Sequence, residues 1–162
     1  MATERTVEIE WIGAFLDGEG KIVSSTSGQL PELEVSWQAR TDEDSGLTSP
    51  EELLAASHAS CYSMALAAGL VGGGWEPTEI HVSCTVALEV GVGIVSSKLS
   101  ARVAVDGEIA DDKLRETAER AKLNCPVSKA LAGIEITLEL PDLPPPEDEL
   151  AEGEEAGVAA EE

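Results

Sequence analysis

The chain has 162 residues, 43% of them hydrophobic, which is enough for one domain with its own core. Acidic residues outnumber basic ones by 32 to 10, and the net charge of −22 argues against binding to nucleic acid or to anionic membrane surfaces. The N-terminus lacks the apolar stretch of a signal peptide, and serine and histidine residues interrupt the apolar run 53–71. We therefore expect a cytoplasmic protein that does not enter a membrane.

The first forty residues show the alternating pattern of antiparallel strands. Val7, Ile9 and Trp11 alternate with polar residues, and turns are predicted at 17–20 and 27–28. Two further strands are expected over Lys21–Ser25 and Glu32–Arg40. A polar loop, 41–49, follows.

The next element is a long helix, predicted from Pro50 to about Gly69 and stopped by Gly72-Gly73-Gly74. Ser49 is a favourable N-cap, proline occupies the first helical position, and Glu52 completes a capping box. The helix is rich in alanine and serine, which indicates close packing and deep burial.

The remainder of the domain alternates between strand and helix patterns. Strands are predicted over 80–89, 99–105 and 134–140, a helix over 111–122, and a short helix over 125–131. This order of elements is typical of an α+β fold. After residue 142 a triple proline and a run of acidic residues cannot bury a core. We therefore expect a domain over 1–142 and an acidic, Pro/Glu-rich disordered tail over 143–162.

Three cysteines are the main candidates for chemistry, because a cytoplasmic protein keeps its thiols reduced. Cys84 lies on the apolar face of a predicted strand and is expected to be an inert core residue. Cys61 lies in the middle of the long helix, on one face with His58, and needs a cation such as Arg40 to be reactive. An inert, buried Cys61 is an equal alternative from the local sequence. Cys125 begins a helix, where backbone N–H groups lower a thiol pKa, so local physics makes it the better thiolate.

Two other functions fit the same residues. A zinc protein could use His58, Cys61 and Cys125 as ligands, although their spacing matches no standard zinc motif, so no metal is expected. A redox-inert, ligand-binding dimer could keep all three thiols for structure. The sequence has no phosphate-binding loop after a strand and no Gly-x-Ser-x-Gly motif, so we expect neither a cofactor nor serine hydrolase chemistry.

Two segments are similar to the cysteine motifs of a known family. Residues 48–66, TSPEELLAASHASCYSMAL, resemble the first cysteine motif of the OsmC/Ohr family of thiol-dependent peroxidases, and residues 124–131, NCPVSKAL, resemble the second. The motifs occur in the family's order and at about its separation, and the resemblance covers roughly residues 4–140. The histidine before the first cysteine and the Cys-Pro-Val-Ser sequence are closer to the osmotically inducible protein C (OsmC) branch.

The resemblance implies antiparallel sheets packed around a long central helix, and an intertwined homodimer with active sites at the subunit interface. It implies reduction of organic hydroperoxides, and more weakly of hydrogen peroxide, in defence against oxidative or osmotic stress. Cys61 corresponds to the peroxidatic nucleophile that becomes a sulfenic acid, and Cys125 to the resolving thiol. An external dithiol would then reduce the Cys61–Cys125 disulfide. Arg40 corresponds to the arginine that stabilises the thiolate, and Glu51 to the carboxylate that holds this arginine.

The resemblance and the local sequence disagree on two points. Glu51 and Cys61 lie ~15 Å apart along a helix axis, so Arg40 would have to bridge that distance. The family assigns the reactive thiolate to Cys61, whereas the helix N-terminus favours Cys125. A Cys61→Ser protein that still reacted with one equivalent of peroxide would favour Cys125. An apolar substrate pocket is expected, lined by residues such as Met64, Leu54 and Trp37.

Overall fold

The computed structural model describes residues 2–42 and 45–142, so the expected tail, 143–162, lies outside the described residues. The described part of the chain forms two three-stranded sheets with one long helix between them in sequence, and the expected α+β class is confirmed. In chain order the elements are β1 Val7–Ile12, β2 Glu19–Ser25, β3 Glu34–Ser36, a 3-10 helix Gln38–Arg40, α1 Pro50–Gly72, β4 Glu76–Glu89, β5 Gly93–Asp106, α2 Asp111–Asn124, α3 Pro126–Ala130 and β6 Glu135–Glu139.

The N-terminal sheet has the antiparallel order β1-β2-β3, and its third strand is shorter than predicted. The expected strand Glu32–Arg40 is wrong beyond Ser36, where the chain turns into the 3-10 helix. The hydroxyl of Ser36 accepts a hydrogen bond from the backbone N–H of Ala39 at 3.1 Å. Such a local side-chain bond competes with strand pairing and favours a turn. Arg40 therefore ends a helical turn instead of a strand.

The C-terminal sheet has the order β4-β5-β6. The long strands β4 and β5 form an antiparallel hairpin, but β6 runs parallel to β5. The resemblance implied antiparallel sheets, and among the named strands β6 is the exception to antiparallel pairing. The chain crosses over through α2 and α3 between β5 and β6, and a crossover of this kind joins parallel strands. It also places Cys125 at the junction of α2 and α3.

Helix α1 begins as predicted and buries one stripe of its surface. The Ser49 hydroxyl accepts from the backbone N–H of Glu52 at 3.1 Å. Every fourth side chain from His58 onwards is buried against β4, β5 and α2, whereas Met64 is 65% exposed. Deep burial on all sides is therefore wrong for the single chain. The buried stripe consists of His58, Tyr62, Leu66 and Leu70.

The length and composition of α1 would also allow it to cross a membrane, with a window of mean hydropathy 1.3. These two properties are weak evidence, because core helices of globular proteins share them. The stripe that α1 buries against the sheet begins with a hydrogen-bonded histidine, His58. That feature favours a helix that packs within a globular domain.

Candidate active site

The four expected site residues form two pairs in the structure. Cys61 and Cys125 lie together where α1 meets α3, and Arg40 and Glu51 lie together at the start of α1. The two pairs are separated along α1 by about three helical turns, or ~15 Å.

The cysteine pair joins the middle of α1 to the N-terminus of α3. Cys125 is the N-cap of α3 and is fully buried, and its backbone N–H is anchored to the carbonyl of Ala121 at 2.8 Å. Cys61 is partly exposed and packs against the core cluster that contains Cys125, and each thiol shifts the pKa of the other. Two reduced thiols therefore lie close together, one of them reachable from solvent.

The surroundings of the two thiols shift their pKa values in opposite directions. Burial raises the pKa of Cys61, and the adjacent Cys125 raises it further, although the backbone N–H of Val127 acts against both. Burial also disfavours the Cys125 thiolate, but the N–H and hydroxyl of Ser128, the Cys61 thiol and the Val127 N–H outweigh it and lower the pKa of Cys125. Within one chain, Cys125 is therefore the better thiolate, as its position at a helix N-terminus suggests.

The Arg40–Glu51 pair joins the 3-10 helix to the first turn of α1. Arg40 Nε donates to both carboxylate oxygens of Glu51, at 3.0 and 3.2 Å, and Nη2 donates to Oε1 at 2.5 Å. Burial favours the neutral form of Glu51, but the hydrogen bonds from Arg40 prevail and hold the pKa of this carboxyl below its usual value. The carboxylate fixes the guanidinium at the start of α1, so Arg40 does not bridge to Cys61 within the described chain.

An apolar cavity of about 270 Å³ adjoins the guanidinium of Arg40. The rings of Phe15 and Trp37 form one wall, with centroids 4.5 Å apart, and Arg40 lies 5.5 Å above the Trp37 ring. Of the residues that we expected around a substrate pocket, Trp37 lines this cavity, and Met64 and Leu54 do not. A larger cavity of about 640 Å³, between α1 and α2, is lined by neither thiol of the cysteine pair. The smaller cavity is lined by Trp11, Phe15, Val35, Ser36, Trp37, Arg40 and Pro50.

His58 lies next to the cysteine pair in a polar network that the sequence did not reveal. Its Nδ1 is 2.7 Å from the hydroxyl of Ser97, and its Nε2 is 2.8 Å from that of Ser128. The sulfur of Cys84 is 3.3 Å from the Ser97 hydroxyl, so this cysteine is not surrounded by apolar groups alone. Both imidazole nitrogens of His58 are engaged, which disfavours its use as a zinc ligand with Cys61.

Comparison with known proteins identifies the family. A family model described as OsmC-like protein matches residues 41–139. The chain belongs to the OsmC-like protein family. It is 36% identical over 142 residues to peroxiredoxin OsmC of Escherichia coli (strain K12), covering 86% of this chain and 96% of that protein.

Other members of the family are also similar. The organic hydroperoxide resistance protein OhrA of Bacillus subtilis (strain 168) is 33% identical over 127 residues, which are 75% of this chain and 87% of that protein. The crystal structure of OhrB of Bacillus subtilis matches with a TM-score of 0.61 at 25% identity, over 83% of this chain and 97% of that one. These findings confirm the family that the two cysteine motifs suggested, and the chain is a thiol-dependent peroxidase.

Proposed function

We propose that the chain reduces organic hydroperoxides, with Cys61 as the nucleophile and Cys125 as the resolving thiol. The observation that carries this proposal is that the partly exposed Cys61 of α1 packs against the cluster that contains the fully buried Cys125 at the start of α3. The Cys61 thiolate attacks the distal peroxide oxygen, the O–O bond breaks, and an alcohol leaves. Cys125 then forms a disulfide with the resulting sulfenic acid, and water is released. An external dithiol reduces the disulfide and restores both thiols.

The active site becomes complete in a homodimer, in which the Arg40–Glu51 pair of one subunit approaches Cys61 of the other. Support comes from the large apolar side chains that the single chain leaves uncovered: Ile12 is 68% exposed and Phe15 62%. Apolar patches of this kind mark interaction surfaces in soluble proteins. An intertwined dimer would cover them and remove the need for Arg40 to reach Cys61 along its own α1.

The partner's arginine would also resolve which thiol ionises first. A guanidinium beside Cys61 stabilises its thiolate and moves the negative charge there from Cys125. Within one chain the negative charge favours Cys125, whereas the family places it on Cys61. These two assignments then describe different states of the same pair. Cys61 carries the charge before the peroxide reacts, and Cys125 carries it after Cys61 has become a neutral sulfenic acid.

The cavity beside Arg40 suits the organic part of the substrate. Its walls are aromatic and apolar, and the guanidinium at its edge can bind the peroxide oxygens. Hydrogen peroxide would gain only the polar contacts, so it is expected to be the weaker substrate. The relatives' names, peroxiredoxin and organic hydroperoxide resistance protein, agree with this preference. A cytoplasmic role in oxidative or osmotic stress defence is the corresponding biological assignment.

The test is a thiol titration of the reduced protein before and after one equivalent of cumene hydroperoxide, with mass spectrometry of the cysteine peptides. Two thiols should disappear, and a Cys61–Cys125 disulfide should form while Cys84 stays reduced. The Cys125→Ser variant should stop at a sulfenic acid on Cys61 that dimedone traps. Persistence of all three thiols would contradict the peroxidase mechanism, and metal analysis of the same sample would then test the zinc alternative.

A further inference from the structure

A continuous chain of hydrogen-bonding groups leads from the resolving thiol to the third cysteine. Ser128 lies three residues after Cys125, the N-cap of α3, where its N–H and hydroxyl favour the Cys125 thiolate, and its hydroxyl is 2.8 Å from His58 Nε2. Beyond the imidazole, Nδ1 is 2.7 Å from the Ser97 hydroxyl, which lies 3.3 Å from the sulfur of Cys84. His58 and Ser97 are fully buried and Ser128 is nearly so, so protein groups fix these hydrogen bonds.

This series of hydrogen-bonding groups has one arrangement of protons that is compatible with a thiolate on Cys125. A thiolate can only accept, so the Ser128 hydroxyl donates to it and must itself accept from His58 Nε2–H. Nδ1 is then unprotonated and accepts from the Ser97 hydroxyl, which accepts from the Cys84 thiol. Each donor has an acceptor, and the series ends on the negative sulfur.

We propose that Ser128 and His58 hold the resolving Cys125 as a thiolate after Cys61 is oxidised, with Ser97 and Cys84 fixing the required imidazole tautomer. Ser128 touches the reacting sulfur, and His58 is a positioning residue that acts through Ser128. This inference builds on the proposed function, because it concerns the step that closes the disulfide. It also assigns Cys84 a role in fixing the His58 tautomer, whereas the sequence predicted an inert core residue.

Among the described residues of one chain, the titratable groups that face His58 and Cys125 are neutral or thiols, so the Cys125 thiolate depends on hydrogen bonds. The titratable group facing His58 is Cys84 of β4, and burial lowers the pKa of the imidazole, which keeps it neutral. The titratable groups facing Cys125 are Cys61 and Tyr62 of α1. Burial raises the pKa of Tyr62, which stays neutral and donates to the carbonyl of Ala118.

The chemistry of the step balances without any further reactant. The Cys125 thiolate attacks the sulfenic sulfur, so the S–S bond forms and the S–O bond of Cys61 breaks. The departing hydroxide takes one proton from solvent at the partly exposed Cys61 and leaves as water. This proton replaces the one that Cys125 released when it ionised. A hydroxyl that keeps Cys125 ionised therefore raises the fraction of molecules ready to react.

The Cys61→Ser variant isolates this ionisation, because it removes the charge at position 61 as oxidation does. The Cβ resonance of Cys125, followed by carbon-13 NMR of cysteine-labelled protein, reports the pKa even though the thiol is buried. We expect a pKa below that of an ordinary cysteine, and adding Ser128→Ala should raise it by about one unit or more. Ser128→Thr keeps the hydroxyl and should restore the value. Ser83→Ala, an exposed serine of β4, is the matched control.

In the otherwise native chain, Ser128→Ala should slow disulfide formation by about tenfold near neutral pH. It should leave sulfenic acid formation on Cys61 unchanged. The difference should vanish at high pH, where Cys125 is ionised in both proteins. A His58→Gln variant should shift the pH dependence of disulfide formation in the same direction. If that variant fails to fold, the comparison of Ser128→Ala with Ser128→Thr still tests the proposal.

An unchanged Cys125 pKa in the Ser128→Ala variant would overturn the proposal. So would an equal loss of rate at every pH, because a purely structural role has that effect. Failure of Cys61 to form a sulfenic acid would instead contradict the proposed function, while the titration in the Cys61→Ser background would still decide the role of Ser128.

Discussion

At the scale of single residues, Arg40 makes the largest contribution to keeping Glu51 charged, and the Glu51 backbone N–H and the Ser49 hydroxyl add to it. Three hydrogen bonds from the partly exposed Arg40 hold a carboxylate that is 89% covered. The pairing crosses the loop 41–49, and nothing in the local sequence indicates it. The motif resemblance paired the two positions, because it relates them through a family and not through their neighbours.

We expect Glu51→Gln to lower the free energy of unfolding by about 2 kcal/mol at neutral pH, allowing for the partial exposure of Arg40. The folded pKa of Glu51 lies below its unfolded value, so the native carboxylate stabilises the fold above the unfolded pKa. That contribution is lost as pH falls through the folded pKa, and the gap between native and variant proteins should narrow there. Urea unfolding at several pH values measures it.

Glu108→Gln is the matched control, since Glu108 is exposed and its replacement should leave the free energy of unfolding nearly unchanged. A gap for Glu51→Gln that stays constant on acidification would mean that the Arg40 contact contributes little. Peroxidase activity of Glu51→Gln should fall by about tenfold, because the arginine loses the group that orients it.

The buried hydrogen-bond network around His58 could not be predicted from the local sequence. His58 contacts Ser97 and Ser128, which are 39 and 70 positions away along the chain. Ser97 has no pattern that distinguishes it from the other serines, and the second cysteine motif contains Ser128 without relating it to His58. Only the packing of α1 against β5 and α3 brings the three together, so sequence reasoning placed His58 among possible zinc ligands.

At the scale of elements, the beginning of α1 was predicted to the residue and its end to within one turn. Ser49 and Glu52 interact within one turn, so the capping box marks the first residue of the helix. The expected end at about Gly69 is three residues short of Gly72, and Gly73 of the predicted glycine stop is the C-cap. A Cβ at position 69 would lie 3.1 Å from the Thr117 methyl group. This glycine therefore serves the close approach of α2, which no local signal shows.

The aromatic wall beside Arg40 gives a prediction about substrate choice. Phe15 packs on Trp37 and leaves the guanidinium untouched, so Phe15→Ala should weaken apolar contacts alone. We expect its KM for cumene hydroperoxide to rise about tenfold, while its rate with hydrogen peroxide changes little. Steady-state kinetics with both peroxides measures the contrast. Val92→Ala, at an exposed valine outside the cavity, is the control, and equal losses with both substrates would argue against this cavity as the binding site.

At the scale of the whole molecule, one chain holds two halves of a site that do not meet. The thiols lie in the middle of α1 and the arginine at its beginning, so the proposed dimer supplies each Cys61 with the partner's Arg40. The fold class and both cysteine positions followed from the sequence through periodicity and motifs. The resemblance implied active sites at the subunit interface, but the local sequence could not show which apolar faces would form it, because exposed strand and helix faces are recognisable only once the packing of the chain is known.

Subunit mixing tests the shared site directly. Cys61→Ser and Arg40→Ala homodimers should each be inactive, since each lacks one group at both sites. After unfolding and refolding together, half the dimers are mixed, and each should hold one complete site. We expect the mixture to recover about a quarter of native activity, measured with cumene hydroperoxide. Refolded single variants are the controls, and a mixture as inactive as they are would place Arg40 and Cys61 of one site in the same subunit.

The separation of Arg40 from Cys61 along α1 has a consequence for when the protein can work. A newly made chain can fold, cap α1 and bring Cys61 close to Cys125, yet it would have no peroxidase activity as a monomer. In the proposed dimer, catalysis would begin only when a second chain binds, so its onset would depend on the square of the concentration of free chains. A cell that makes little of the protein would have almost no peroxide-consuming capacity, and a modest rise in synthesis would bring a disproportionate increase.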